Sequence, residues 1–270
     1  MEAVLRRVNN LHLDDQPRRV DLDVNLILHV SSQNESIGMD TIAWRGDEMT
    51  RLEGDDSLDV QSLTIMGWHG NQNLYCERSQ PLDSLQGLRQ QISSVRQLTI
   101  QELESGSSQV RSLFSYCDEI YPKNVVLTRV KDHDNTILEF LWNVLAKGQT
   151  KNLTLKSCCF GPELKETLSM WTQVTPDWNS CDILNPVTEE GCTLMVKLVD
   201  ELYEHWLEAE EITHSNQRLQ IKSPYLAQNV PATSINVEHQ KVREASALIS
   251  VLEDENTLTL FLFKSESYLC

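Results

Sequence analysis

The stretch Val125–Cys158, VVLTRVKDHDNTILEFLWNVLAKGQTKNLTLKSC, decides the fold. At its start Val125, Leu127 and Val130 stand in the alternation of a half-buried strand. Its middle carries Ile137, Leu138, Leu141, Val144 and Leu145, spaced at three and four as on one face of a helix. Thr136 and Glu139 have the spacing of a capping box at the helix start, and Gly148 closes it. Leu153, Leu155 and Cys158 then repeat the opening strand. Two strands joined through one helix must lie parallel, because the crossover returns the chain to the edge it left.

Working outward, the same strand pattern recurs. It stands as V-x-x-L-x-I at Val60, Leu63, Ile65 and again at Val95, Leu98, Ile100, with looser copies at Ile183 and at Leu219, Ile221. The period is about thirty residues, that of stacked supersecondary units. Helical spacings fall between the strands: Leu82, Leu85, Leu88, Ile92; Val110, Leu113, Phe114, Cys117; Leu164, Leu168, Trp171 after Gly161-Pro162; and Met195, Leu198, Val199, Leu202, Trp206, Ala209 on a helix from about Glu189 to Glu211. The expected fold class is α/β: an irregular, leucine-rich-repeat-like parallel strand–helix stack, with Cys158 placed as in the L-x-x-L-x-L-x-x-N/C-x-L repeat core.

Both ends read differently from the middle. Val20–Val30 alternates as a long strand, SSQNES follows as a turn, and Asp40–Trp44 reads as a partner strand. At the far end Ser246–Leu252 and Thr257–Lys264 flank the polar link Glu253–Asn256 as a hairpin. A helix through Ala245–Leu252 is the competing reading, disfavoured by β-branched content. The expected organisation is an N-terminal segment over 1–19, a β element over 20–59, repeats over 60–234 and a C-terminal β hairpin over 235–270, in one continuous unit with β hairpins at both ends.

Composition bounds the function. The chain has 270 residues, 40% apolar, with 23 basic against 40 acidic side chains and a net charge of −17. That charge excludes a general nucleic-acid binder, which must displace counterions from phosphates, and electrostatic docking on an anionic membrane. Thr257–Phe263 is the most apolar stretch and too short to span a bilayer. MEAVLRRVNN lacks a signal-type apolar run, and seven cysteines form no Cys-x-x-Cys. The expectation is a cytoplasmic or nuclear protein with neither disulfide framework nor zinc ribbon.

Three segments resemble the F-box-associated region of the large nematode F-box families: Lys151–Thr175, KNLTLKSCCFGPELKETLSMWTQVT; Asn216–Pro224, NQRLQIKSP; and the closing element Ile235–Phe263. The similarity extends over about Val20–Lys264. It implies the leucine-rich-repeat-like target-binding part of an SCF-type ubiquitin ligase substrate receptor. The N-terminal segment holds no L-P-x-x-[LI]-like run of an F-box, so adaptor binding is not expected of this chain itself.

Chemistry-bearing motifs are few. No Walker or dinucleotide glycine loop, H-E-x-x-H or G-x-S-x-G occurs. His133, between Asp132 and Asp134, lies after a strand, where ligands bind in open α/β sheets. With Cys158, Cys159 or a carboxylate it is the basis of an alternative reading as a small hydrolase or transferase. The plainer reading is a solvated turn in which Asp134 or Asn135 caps the helix. Glu201, His205 and Glu208 share one helix face, but a metal site there lacks a closing ligand. Neither cofactor nor metal is expected.

The expected function is therefore a non-enzymatic protein-interaction module with a protein partner. The candidate contact residues are Thr64, Thr99, Thr128, Thr154 and Gln220 on alternate strand positions, with Trp68 and His69 in a following turn. Glu201, Glu204 and Glu208 belong to an acidic helix, with Glu189, Glu190, Asp200, Glu210 and Glu211, whose plainer reading is a solvated outer face and whose functional reading is a surface steering a basic partner. Trp142, Trp171 and Trp206 are expected in the core. Trp44, Trp68 and Trp178 lie nearer turns, where an exposed indole would anchor a contact.

Overall fold

The computed structural model describes residues 19–31, 37–42, 57–68, 79–80, 92–106, 110–111, 113–114, 117, 120–212, 214, 216–252 and 255–264. The chain divides into two compact units. One comprises Met1–Leu103 with Ser107–Pro122, the other Glu104–Gly106 with Lys123–Cys270. The division falls inside the 60–234 stretch, where the sequence carries no change of pattern.

The first unit contains β1 (Arg19–Ser31), β2 (Ile37–Ile42), β3 (Ser57–Trp68), β4 (Ser79–Gln80) and β5 (Ile92–Gln101). β1 and β2 form the expected N-terminal hairpin, antiparallel, with Val30 opposite Ile37. β3 runs parallel to both β1 and β5, so that Leu26, Leu63 and Leu98 share one row and Leu28, Ile65 and Ile100 the next. Leu63, Ile65, Leu98 and Ile100 are almost wholly buried, as their alternation requires. Ile92, whose spacing fits the end of a helix, instead opens β5; the remainder of that pattern, Leu82–Leu88, lies outside the described residues. The helical spacing at Val110, Leu113 and Phe114 does produce helix, and all three are buried.

The second unit alternates strand and helix as expected: β6 (Asn124–Thr128), α1 (Thr136–Leu145), β7 (Asn152–Lys156), α2 (Glu163–Val174), β8 (Ser180–Leu184), α3 (Glu189–Glu208) and β9 (Asn216–Lys222). β6 to β9 are parallel neighbours. After α4 (Leu226–Asn229) come β10 (Thr233–Glu238), β11 (Ala245–Leu252) and β12 (Thr257–Lys264). β11 and β12 form the expected hairpin, closing with Leu252 opposite Thr257. β12 then pairs antiparallel with β9, and β10 adds to β11. Placing β12 beside β9 continues one apolar row, Leu127, Leu155, Ile183, Ile221 and Leu258, and a second, Val125, Leu153, Cys181, Leu219 and Leu260. All ten side chains are buried.

The helices cover this apolar face. Ile137, Leu138, Leu141, Val144 and Leu145 of α1, Leu164, Leu168 and Trp171 of α2, and Met195, Leu198, Val199 and Trp206 of α3 are buried. Trp171 is fully enclosed, and its Nε1 donates to Thr150 O at 2.9 Å. One indole, Trp142, corrects the expectation, and the structure settles where Trp178 goes. Trp178 is buried against Trp171, ring centroids 5.5 Å apart, because its turn folds beneath α2. Trp142 is 41% exposed, since it sits on the side of α1 opposite the buried stripe.

Candidate protein-binding face

Strand alternation that buries one face of the second unit leaves the other without a covering layer among the described residues. Its first row is polar: Asn124, Asn152 and Ser180 are in register, with Asn152 Nδ2 donating to Asn124 Oδ1 at 2.7 Å and Ser180 Oγ donating to Asn152 Oδ1 at 3.1 Å. The second row runs Val126, Thr154, Asp182, Gln220 and Thr259. Thr128 belongs to a third, with Lys156, Leu184 and Lys222. Thr128, Thr154 and Gln220 are all half-buried, on the open side.

The antiparallel strands extend this face and change its chemistry. Phe261 lies opposite Arg218 on one side and Leu248 on the other, and Phe263 follows two residues on. Both rings are half-buried and stack with centroids 5.3 Å apart. Arg218 is held beside them by an ion pair with Asp182, in which its Nη2 donates to both carboxylate oxygens at 3.0 Å. Aromatic and arginine side chains dominate binding hot spots. Sequence reasoning does not single out Phe261, Phe263 or Arg218. TLTLFLF alternates with apolar residues on both faces, and that doubled pattern is the available signal that its second face also has a use.

Thr64 and Thr99 are paired in the first unit, half-buried, with Gln97 Nε2 donating to Thr99 Oγ1 at 3.2 Å. Trp68 ends β3; its side chain, His69 and Trp44 lie outside the described residues. Glu201, Glu204 and Glu208 are exposed on α3. Lys165 of α2 pairs with Glu201, and Lys241 Nζ donates to Glu208 O at 3.0 Å. Helix α3 belongs to the layer over the buried face of the sheet, so these carboxylates and the Thr154–Gln220 row lie on opposite sides of the unit. They do not form one site.

The turn after β6 bears out part of the expectation, with Asp134 serving a first-turn amide of α1, and departs from it elsewhere. Asp132 is buried and its Oδ2 accepts from Leu138 N at 2.7 Å, while Asp134 Oδ1 accepts from Thr136 N at 3.2 Å. The capping box of Thr136 and Glu139 does not form. Asn135, in left-handed conformation at φ 62°, precedes the helix, and Thr136 is already its first residue. Asn135 contributes no side-chain cap. His133 is exposed; its backbone N donates to Ser105 Oγ at 2.7 Å, and its Nε2 stands 3.2 Å from Glu104 Oε1. Cys158 Sγ faces Leu127 O and Lys156 O, and burial pushes its thiol up to about 11. The cavity beside it, between β7, β8 and the starts of α2 and α3, is lined by Leu155, Leu164, Ile183 and Met195 among others and holds about 30 Å³. That is room for about two waters, against several hundred Å³ for a small-molecule pocket.

Among the described residues no three His, Cys, Asp or Glu side chains cluster as metal ligands, and no helix is long and apolar enough to cross a membrane. Compared with known protein families, curated proteins and solved structures, the chain matches none.

Proposed function

We propose that this protein is a non-enzymatic interaction module that binds another polypeptide on the open sheet face of its second unit. The observation that carries the reading is the stacked Phe261–Phe263 pair beside the ion-paired Arg218, set at one end of rows of hydrogen-bonding side chains that include Thr154 and Gln220. Such a face supplies an apolar anchor within a polar surround, the arrangement that excludes water from a contact. The net charge of −17 and the acidic outer side of α3 favour a basic partner. The strand-helix units and the placing of Cys158 after its strand fit a leucine-rich-repeat-like array. The resemblance to nematode F-box-associated regions supports target recognition for an SCF-type ubiquitin ligase, in the cytoplasm or nucleus, with the adaptor held by another segment or chain. Catalysis by His133 is the poorer reading. The neighbouring Cys158 thiol stays protonated near neutral pH and is turned towards backbone carbonyls.

The test is affinity capture with mass spectrometry, run with the wild-type chain and with Phe261→Asp, Arg218→Glu and Thr154→Arg. Each variant should keep its circular dichroism and lose the same specific partners. Recovery of an unchanged partner set by all three would refute binding through this face. Steady turnover of a substrate that His133→Ala abolishes would refute the non-enzymatic reading.

A further inference from the structure

Strand β10, Thr233–Glu238, TSINVE, ends the sheet of the second unit: among the described residues it pairs with β11 alone. Edge strands are usually protected by a lysine, a proline or a bulge. This one has no lysine or proline, its register with β11 is unbroken, and Ile235 is 47% exposed. The direction of its backbone groups follows from one bond. His239 N donates to Ala245 O at 2.8 Å, so the alternating exchange with β11 falls on Val237, Ile235 and Thr233. The N–H and C=O groups of Ser234, Asn236 and Glu238 therefore point to the free edge.

We infer that β10 pairs antiparallel with β10 of a second copy of this chain, about a two-fold axis at Asn236. The strand is complementary to itself in that register. Ser234 meets the second copy's Glu238, hydroxyl donor to carboxylate acceptor, and the two Asn236 amides meet on the axis. On the other face Ile235 lies across from the second copy's Val237, which removes both from water beside Ile249 and Ala247. A shift by one residue would set the outward-pointing groups against residues already bonded to β11. A shift by two leaves one end of the strand unpaired. The two Glu238 carboxylates stand at opposite ends of the contact. The contact is small, and interfaces below about 1,200 Å² are weak, so it forms at high micromolar concentration. It uses the sheet edge and leaves the open face of the proposed function free.

The test is the mass in solution against concentration, by light scattering or sedimentation. Wild type should rise towards twice its 30.9 kDa. Asn236→Pro removes only an outward N–H and keeps the pairing with β11. It should weaken association at least about tenfold, a bond lost on each side of the axis. Ile235→Lys should do the same by burying like charges. Asn236→Cys gives a gain of signal: opposed residues of this kind are about 5.5 Å apart at Cα, within disulfide reach. Oxidation of that variant should yield a disulfide-linked peptide joining position 236 of one copy to position 236 of the other, seen by mass spectrometry and absent from wild type. A mass that stays at one chain at every concentration overturns the inference. So does a dimer that persists in both disrupting variants without that cross-link.

Discussion

Asp132 takes the place of the cap that the spacing of Thr136 and Glu139 suggests. Its carboxylate reaches six residues ahead to the exposed amide of Leu138. Asp132→Ala should therefore cost about 1–2 kcal/mol by chemical denaturation, the usual loss of a helix cap, whereas Glu139→Ala should stay within about 0.5 kcal/mol, as an exposed change does. The apolar partners in this segment are legible from spacing alone. The cap is not, because it depends on a turn through the left-handed Asn135 that brings a distant side chain round. Cys158 makes a second case. Burial raises its thiol from an ordinary 9.0 to about 11, so at pH 8 only about one molecule in a thousand carries the thiolate. Alkylation at pH 8 should mark the half-exposed Cys159 well before Cys158. The folded state keeps the Cys158 proton to higher pH than the unfolded chain does. Its contribution therefore lowers stability as pH rises from about 9 towards 11, which urea midpoints across that range would register.

At the scale of the element, three of the four parallel strands of the second unit, β6 to β8, end in the same device. Arg129, Ser157 and Asn185 follow β6, β7 and β8 with φ of 52°, 53° and 51°. Each donates its N–H to the last carbonyl of the next strand: Arg129 to Lys156 O at 2.8 Å, Ser157 to Leu184 O at 2.8 Å and Asn185 to Lys222 O at 2.6 Å. Left-handed backbone costs an ordinary residue about 1–2 kcal/mol, and here the bond to the neighbouring strand offsets it. None of the three is glycine, so the turn leaves no mark in the sequence although the strands on either side do. Ser157→Val should lower stability by about 1–3 kcal/mol. Ser157→Gly should be neutral or slightly stabilising, because relief of the left-handed strain opposes the greater freedom of glycine in the unfolded chain. Thermal or urea unfolding of the pair separates backbone conformation from side-chain loss.

For the molecule as a whole, the proposed function assigns the two sets of candidate contact residues to different stages of binding. On that proposal the carboxylates of α3 guide a basic partner, and the Phe261 face holds it. Reversing Glu201, Glu204 and Glu208 to lysine should lower the association rate and flatten its dependence on salt, with the dissociation rate nearly unchanged. Phe261→Ala should raise the dissociation rate by about tenfold or more and leave the salt dependence as it was. Surface plasmon resonance of the captured partner, over a series of salt concentrations, distinguishes the two. An effect of both changes on the same rate constant would refute this division of roles.

The sequence by itself determined the strands and helices from β6 to β9, and that those strands run parallel. Alternation and the three-and-four spacing are local consequences of backbone geometry, and a helical crossover fixes direction. Only the tertiary structure decided that β12 joins β9, that β10 ends up at an edge, that Trp178 is covered while Trp142 is not, and that Phe261 stands beside Arg218. Those outcomes rest on pairings between distant parts of the chain, whose register follows from packing of the whole sheet rather than from any one segment.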